Sequence, residues 1–174
     1  MEKNDFKNIS LRGRVSYAIC CFENTLLHLK YNVNDWKIVL EYLWEFTSIE
    51  YLDDWSGTIV EIIPTNLLEF KDYEKHEFEY INEETFNYLY NLYQNIDEKI
   101  DDLMNAIYDI GVSHIYSIIE GYGQSSLDAL DIVLEFMNEN NILLPDIKIF
   151  KKYSIEENRG WGNRFDGRSL SGIL

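Results

Sequence analysis

Eight apolar residues between Glu83 and Ile110 follow one another at alternating steps of three and four: Phe86, Leu89, Tyr93, Ile96, Ile100, Leu103, Ile107 and Ile110. Only an α-helix returns that spacing to one side, so the run must bury one face against something else. Asp97, Glu98, Asp101, Asp102 and Asp109 fall on the opposite side. Unbroken, the stretch is a helix of about 42 Å at 1.5 Å per residue. Asn95 and Glu98 stand in capping-box register and can instead divide it into two stacked helices. Either arrangement leaves an acidic ridge over an apolar seam.

The rest of the chain supplies partners for that seam. Val15, Ala18, Ile19, Phe22, Leu26 and Leu29 predict an amphipathic helix over 15–30, with His28 on its flank. Asn34 or Asp35 can cap a second helix striped by Trp36, Val39, Leu40, Leu43 and Phe46. Glu41, Trp44 and Glu45 lie off that stripe, and Trp44 there is either an interface anchor or a side chain covered by a neighbouring helix. Between Ser48 and Leu68 the pattern breaks into short pieces, with punctuation at Ser56-Gly57, a capping pair at Thr58 and Glu61, and an end at Pro64. Thr58 to Ile63 also fits a strand, but no matching strand follows at hairpin distance.

Residues 69–84 mix acids with aromatics without periodicity and predict a long surface connection, with His76 exposed in it. Gly111 is placed to stop the organising helix, Ser113 to cap a short piece, and Ser125 with Asp128 to open a helix seamed by Leu127, Leu130, Leu134 and Met137. Two such seams in one small chain predict helices packed side by side. The expected fold is all-α: a single domain over residues 1–174, a compact bundle of about seven or eight helices. After Pro145 comes one short element through Ile149. Residues 153–174 form a Gly- and Arg-rich tail containing Gly160, Trp161 and Gly162, then Phe165, Asp166 and Gly167. Its Trp, Phe, Leu and Ile side chains predict docking on the body, where Arg159, Arg164 and Arg168 can meet carboxylates.

Charge narrows the function. The chain has 31 acids against 15 bases, a formal charge of −16. Residues 1–40 and 146–174 each carry six bases and four acids, whereas 41–145 carry three bases and 23 acids. Such a polyanionic body disfavours nucleic acid and anionic membrane, both of which require Lys and Arg to neutralise phosphate, and favours a basic partner. No apolar run approaches the eighteen or so residues of a membrane helix, and Met1 to Asn8 lack the apolar core of a secretion signal, so a soluble cytoplasmic protein is expected. Adjacent Cys20 and Cys21 in a helix read as reduced packing residues.

None of the common phosphate-loop, dinucleotide, nucleophile-elbow or zinc-ligand patterns is present. The pairs Asp53-Asp54 and Asp101-Asp102 suit a divalent metal or acid–base work, but 31 acids produce such pairs by chance, and neither a metal nor a cofactor is expected. The Gly160 to Gly167 loop, with three arginines, suits either an anion cradle or a docked cap.

With its acidic helical body and its Gly160-Trp161-Gly162 and Phe165-Asp166-Gly167 tail, the chain resembles the small all-α immunity proteins of bacterial polymorphic toxin systems. That resemblance implies a cytoplasmic, non-catalytic protein that binds a toxin domain and covers its active site or substrate groove. A basic toxin, a nuclease for example, needs a cationic surface that a carboxylate-rich one can occupy. The expected contact set is Glu41, Trp44, Glu45, Asp97, Glu98, Asp101, Asp102 and Asp109. Two other readings stand beside it: an acidic scaffold or interaction subunit, which can be a homo-oligomer, and a metal-dependent enzyme using carboxylates.

Overall fold

The computed structural model describes residues 1–174 and is all-α. It has seven α-helices: α1 Leu11–His28, α2 Lys37–Glu45, α3 Leu52–Ile62, α4 Pro64–Leu67, α5 Glu83–Tyr93, α6 Glu98–Val112 and α7 Gln124–Glu139, with 3-10 turns before α1, between α1 and α2, and after α7. There is no strand, only an isolated bridge between Ile9 and Ser154. Thr58 to Ile63 is therefore helical up to Ile62, as favoured over a strand.

The predicted seam lies on two helices, and its residues are buried apart from the half-buried Ile96 at the break. The break falls at Gln94–Asp97, and the capping side chain is Asp97, which accepts from Lys99 N at 3.0 Å, not Asn95. Five further boundary signals differ from expectation. Helix α3 runs straight through Ser56-Gly57, because the Tyr80 ring lies where a Gly57 side chain would stand. Thr58 lies inside α3 and bonds back to Asp54 O at 2.9 Å; α3 does end just before Pro64, which opens α4 at its first turn, where a missing N–H is harmless. Gly111 does not end α6 but sits inside it, where a Cβ would come within 2.6 Å of the Trp55 ring. Ser113 is the C-cap of α6 and not the start of a helix, while α7 begins after Gly123 at φ +64 with no side-chain cap from Ser125.

The larger revision concerns α1. It starts at Leu11, four residues before the predicted stripe, with Ser10 as its cap, and residues 11–19 are buried on every side. It packs on α6, α7 and α2, so α1 is the axis and the α5–α6 seam one wall around it. Arg12 and Arg14 are buried there without a carboxylate partner. Arg14 donates to Ser126 Oγ (2.6 Å), Tyr122 O (2.7 Å), Gly123 O (3.1 Å), Phe6 O (3.2 Å) and Lys7 O (3.3 Å), tying the N-terminal segment to the start of α7. Arg12 donates to Phe46 O and to Ile49 O, the latter at 3.0 Å, and its guanidinium lies 5.6 Å over the Phe46 ring. Burial lowers both guanidinium pKa values to about 10, which leaves them charged at neutral pH.

The tail lies against the beginning of α1. Its carbonyls receive N–H groups that no helix bond can satisfy: Ser10 N donates to Tyr153 O at 2.8 Å and Arg12 N to Trp161 O at 3.0 Å. Gly160 and Gly162, at φ +92 and +81, turn the chain there. Phe165 stacks on Tyr153 at 4.1 Å, and Phe165 N donates to Thr47 O at 3.0 Å. Asp166 caps the final 3-10 turn, and Gly167 lies so close to Trp44 and Thr47 that a Cβ would come within 2.7 Å of both. Beyond it the buried Glu23 carboxylate receives Trp44 Nε1 (3.0 Å), Ser171 Oγ (2.5 Å) and Gly172 N (2.8 Å). Of the three tail arginines only Arg164 forms an ion pair, with Glu50 at 2.9 Å.

Candidate acidic interaction surface

Four ion pairs within 4 Å, involving only Asp128, Asp131, Asp97 and Glu50, are all that the fold forms among its 31 acidic side chains. The internal cations do not relieve this, since Arg12 and Arg14 face backbone carbonyls inside the core. Most of the carboxylates therefore reach solvent without a counter-charge on the same molecule.

The predicted contact residues separate into three groups. Trp44 is a core residue, 1% exposed, lying beneath Gly167 and bonded to Glu23, so it is no interface anchor; α1 and the tail cover it. Asp97 and Asp101 do structural work: Asp97 caps α6, while Asp101 accepts from Thr65 N at 2.8 Å and from Asn105 Nδ2 at 3.0 Å. Glu41, Glu98, Asp102 and Asp109 are exposed. Glu45 is half-buried on α2; desolvation raises its pKa and nearby Arg168 partly offsets the rise. Glu41 and Glu45 thus stand on α2, apart from the acids of α6.

Asp102 and Asp109 are brought together with residues that sequence reasoning had not singled out. Between α6 and α7 runs a groove of about 470 Å³, lined by Asp102, Asn105, Ala106 and Asp109 on one side and Ile132, Glu135, Phe136 and Glu139 on the other. The two sets share one spacing, i, i+3, i+4, i+7, which places each on one flank of its helix. Ala106 makes the floor shallow enough to expose Ile132 by 54%. None of the four carboxylates on its rims takes part in an ion pair. Desolvation raises the Asp109 carboxyl pKa, a cost to its charged form that a neighbouring cation would offset. The α7 half was visible in the sequence only as a second stripe beside the Leu127–Met137 seam.

A second exposed feature is the connection from Ser113 to Gly123. Tyr116 and Ile118 are 87% and 72% exposed, and Tyr122 stands out beside them in the chain. The loop is held from below: Tyr116 donates to Asp53 Oδ1 at 2.9 Å, and Ile119 packs against Gly160. By contrast Tyr88 donates to Asp35 O at 3.0 Å, and Tyr108 stacks on Trp55, so both have partners within the fold.

The long 69–82 connection is also more structured than expected. Glu61, its predicted capping role absent, accepts instead from the backbone N–H of Glu79, Tyr80 and Ile81 at 2.6, 3.0 and 2.9 Å. Phe70, Tyr73, Phe78 and Phe86 pack into a small aromatic cluster beneath it. His76 is exposed as predicted. No three His, Cys, Asp or Glu side chains converge closely enough to hold a metal ion, and no helix is long and apolar enough to cross a membrane. No protein-family model, curated protein or solved structure matches this chain.

Proposed function

We propose that this chain is an acidic, non-catalytic inhibitor of the bacterial immunity type, which binds a basic toxin domain in the cytoplasm and covers the cationic surface that the toxin uses on its substrate. The observation that carries the reading is the unneutralised charge: 31 acids, four ion pairs, and two of the 15 bases sealed in the core. Uncompensated like charge costs a compact fold stability through self-repulsion, and a cationic partner relieves it while the field accelerates encounter. Exposed tyrosine and isoleucine beside the acids supply the desolvated contacts that charge alone lacks.

The test begins with capture of partners on the tagged protein at low salt, eluted in rising salt. A single basic protein should appear in near-equal amount. Expressing that protein alone should arrest growth, and co-expression with this chain should restore it. Recovery of the bait alone, or as a self-assembled oligomer, overturns the reading and favours a scaffold. A complex whose association rate is the same in 0.05 and 0.5 M salt removes electrostatic steering from it, because screening is nearly complete at the higher value.

A further inference from the structure

The α6–α7 groove has features that a merely solvated acidic face does not: a defined volume, an apolar floor, and two acids on each rim. We infer that this groove is the docking site for an amphipathic basic helix of the partner, with one apolar side chain seated on Ala106, Ile132 and Phe136 and flanking lysines or arginines reaching Asp102, Asp109, Glu135 and Glu139. The inference rests on the inhibitor reading and assigns its contact surface.

The geometry selects this occupant. Asp102 and Asp109 are seven residues apart on α6, about 10 Å along the axis, which is the separation of basic residues at i and i+7 of a facing helix. An apolar residue at i+3 or i+4 then lies midway, above the floor. A cleft between two helices accepts the ridge of a third, and its short length suits about two turns. A single metal ion is a poor occupant, since the carboxylates line the two sides of an open groove and do not converge. Nucleic acid is excluded by sign. Binding would also cover the exposed Ile132, burial that a polycation without an apolar residue would not provide.

The probe is a synthetic, fluorescently labelled 18-residue helical peptide with lysines at i and i+7 around a central leucine, titrated by anisotropy in 50 mM salt. The wild-type protein should bind it, and the Leu→Ser peptide should bind at least tenfold more weakly. Combined Asp102→Asn, Asp109→Asn, Glu135→Gln and Glu139→Gln should weaken binding at least tenfold, as should Ile132→Ser alone. A control set of equal charge change elsewhere, Glu41→Gln, Asp54→Asn, Glu83→Gln and Glu84→Gln, should alter it less than threefold. Circular dichroism confirms that each variant is folded. Equal losses from both sets, efficient displacement by spermidine, or no binding by the wild type overturns the groove assignment. The two readings fail separately. A captured toxin whose affinity ignores the groove set refutes the groove and leaves the inhibitor reading standing, whereas specific peptide binding with no toxin partner does the reverse.

Discussion

Glu23 offers a quantitative test of how the tail is held. Its carboxylate is 3% exposed, has no cation within 4 Å, and accepts three hydrogen bonds, two of them from the last four residues of the chain. In Glu23→Ala all three donors lose their acceptor. Ser171 and Gly172 can find water by lifting away, but the Trp44 indole N–H, 3.0 Å from the carboxylate, is buried. An orphaned buried donor costs about 1–3 kcal/mol. The gap left by the side chain adds a comparable amount where the surroundings collapse only partly. We expect a loss of about 3 kcal/mol, concentrated on residues 170–174, which corresponds to a roughly 100-fold fall in hydrogen-exchange protection of the Gly172 amide at about 1.4 kcal/mol per decade.

Glu23→Gln dissects the site further. Trp44 and Ser171 share Oε1 while Gly172 uses Oε2, so an amide oxygen can serve the first pair only by turning its NH2 toward the Gly172 N–H. The Gly172 amide should then lose protection while the indole N–H keeps it. Urea denaturation and residue-resolved exchange measure both. Unchanged Gly172 protection together with a stability loss below about 1 kcal/mol in Glu23→Ala would refute the claim that this carboxylate docks the tail.

Other expectations follow from the core. Gly111→Ala would raise stability in an ordinary helix by about 1 kcal/mol; here the new Cβ meets the Trp55 ring, so urea melts should show a net loss of up to about 2 kcal/mol. Arg14→Met leaves the Lys7 and Tyr122 carbonyls without this donor, while Phe6 O and Gly123 O keep their backbone donors, and should cost about 3 kcal/mol by the same assay. Burial first, and then Arg14, hold the His114 pKa below its unfolded value of 6.5. The native state thus binds fewer protons than the unfolded one, and the His114 contribution is intact above pH 6.5 and is lost as pH falls through the folded pKa. His114→Gln should flatten that part of the stability profile in urea melts from pH 7.5 to 5. Reversing Asp102 and Asp109 to Lys should slow association with the proposed cationic partner without loss of helicity, whereas reversing Asp97 and Asp101 should lower the melting temperature, because those two hold α6 and α4. Stopped-flow association and thermal melts separate the two pairs.

The seams were readable because burial on one face imposes a period, and Phe86 to Ile110 and Leu127 to Met137 obey it. The centrality of α1 was not readable for the converse reason. The stripe from Val15 to Leu29 marks a helix with one buried face, but residues 11–19 are buried on every side, which adds no period, and Arg12 and Arg14 make the first turn look solvated. Gly57 and Gly111 look like helix breaks in sequence because their cause, the approach of Tyr80 and Trp55, lies elsewhere in the chain. Glu61 was misassigned likewise: its partners are three backbone amides eighteen to twenty residues on, which carry no side-chain signature. The groove was half legible. Its α6 rim appeared as part of the acidic ridge, and its α7 rim needed the packing of the two helices to give Ile132 and Glu135 a meaning.

The placement of charge ties the fold to the proposed role. Where this chain needs rigidity it buries charged groups against neutral partners: Arg14 against carbonyls, Glu23 against an indole, a hydroxyl and an amide. These contacts join helices and tail without using a surface counter-ion. An exposed lysine opposite each surface acid would add little stability, since such pairs are worth about 0–1 kcal/mol. It would, however, cancel the field that a cationic partner meets. A chain that secures its interior by hydrogen bonds to ions, and leaves Asp102, Asp109, Glu135 and Glu139 unpaired around an exposed isoleucine, keeps its negative potential available at a groove with an apolar floor. That division of charge between interior and surface is the physical argument for a binding protein whose partner is positive.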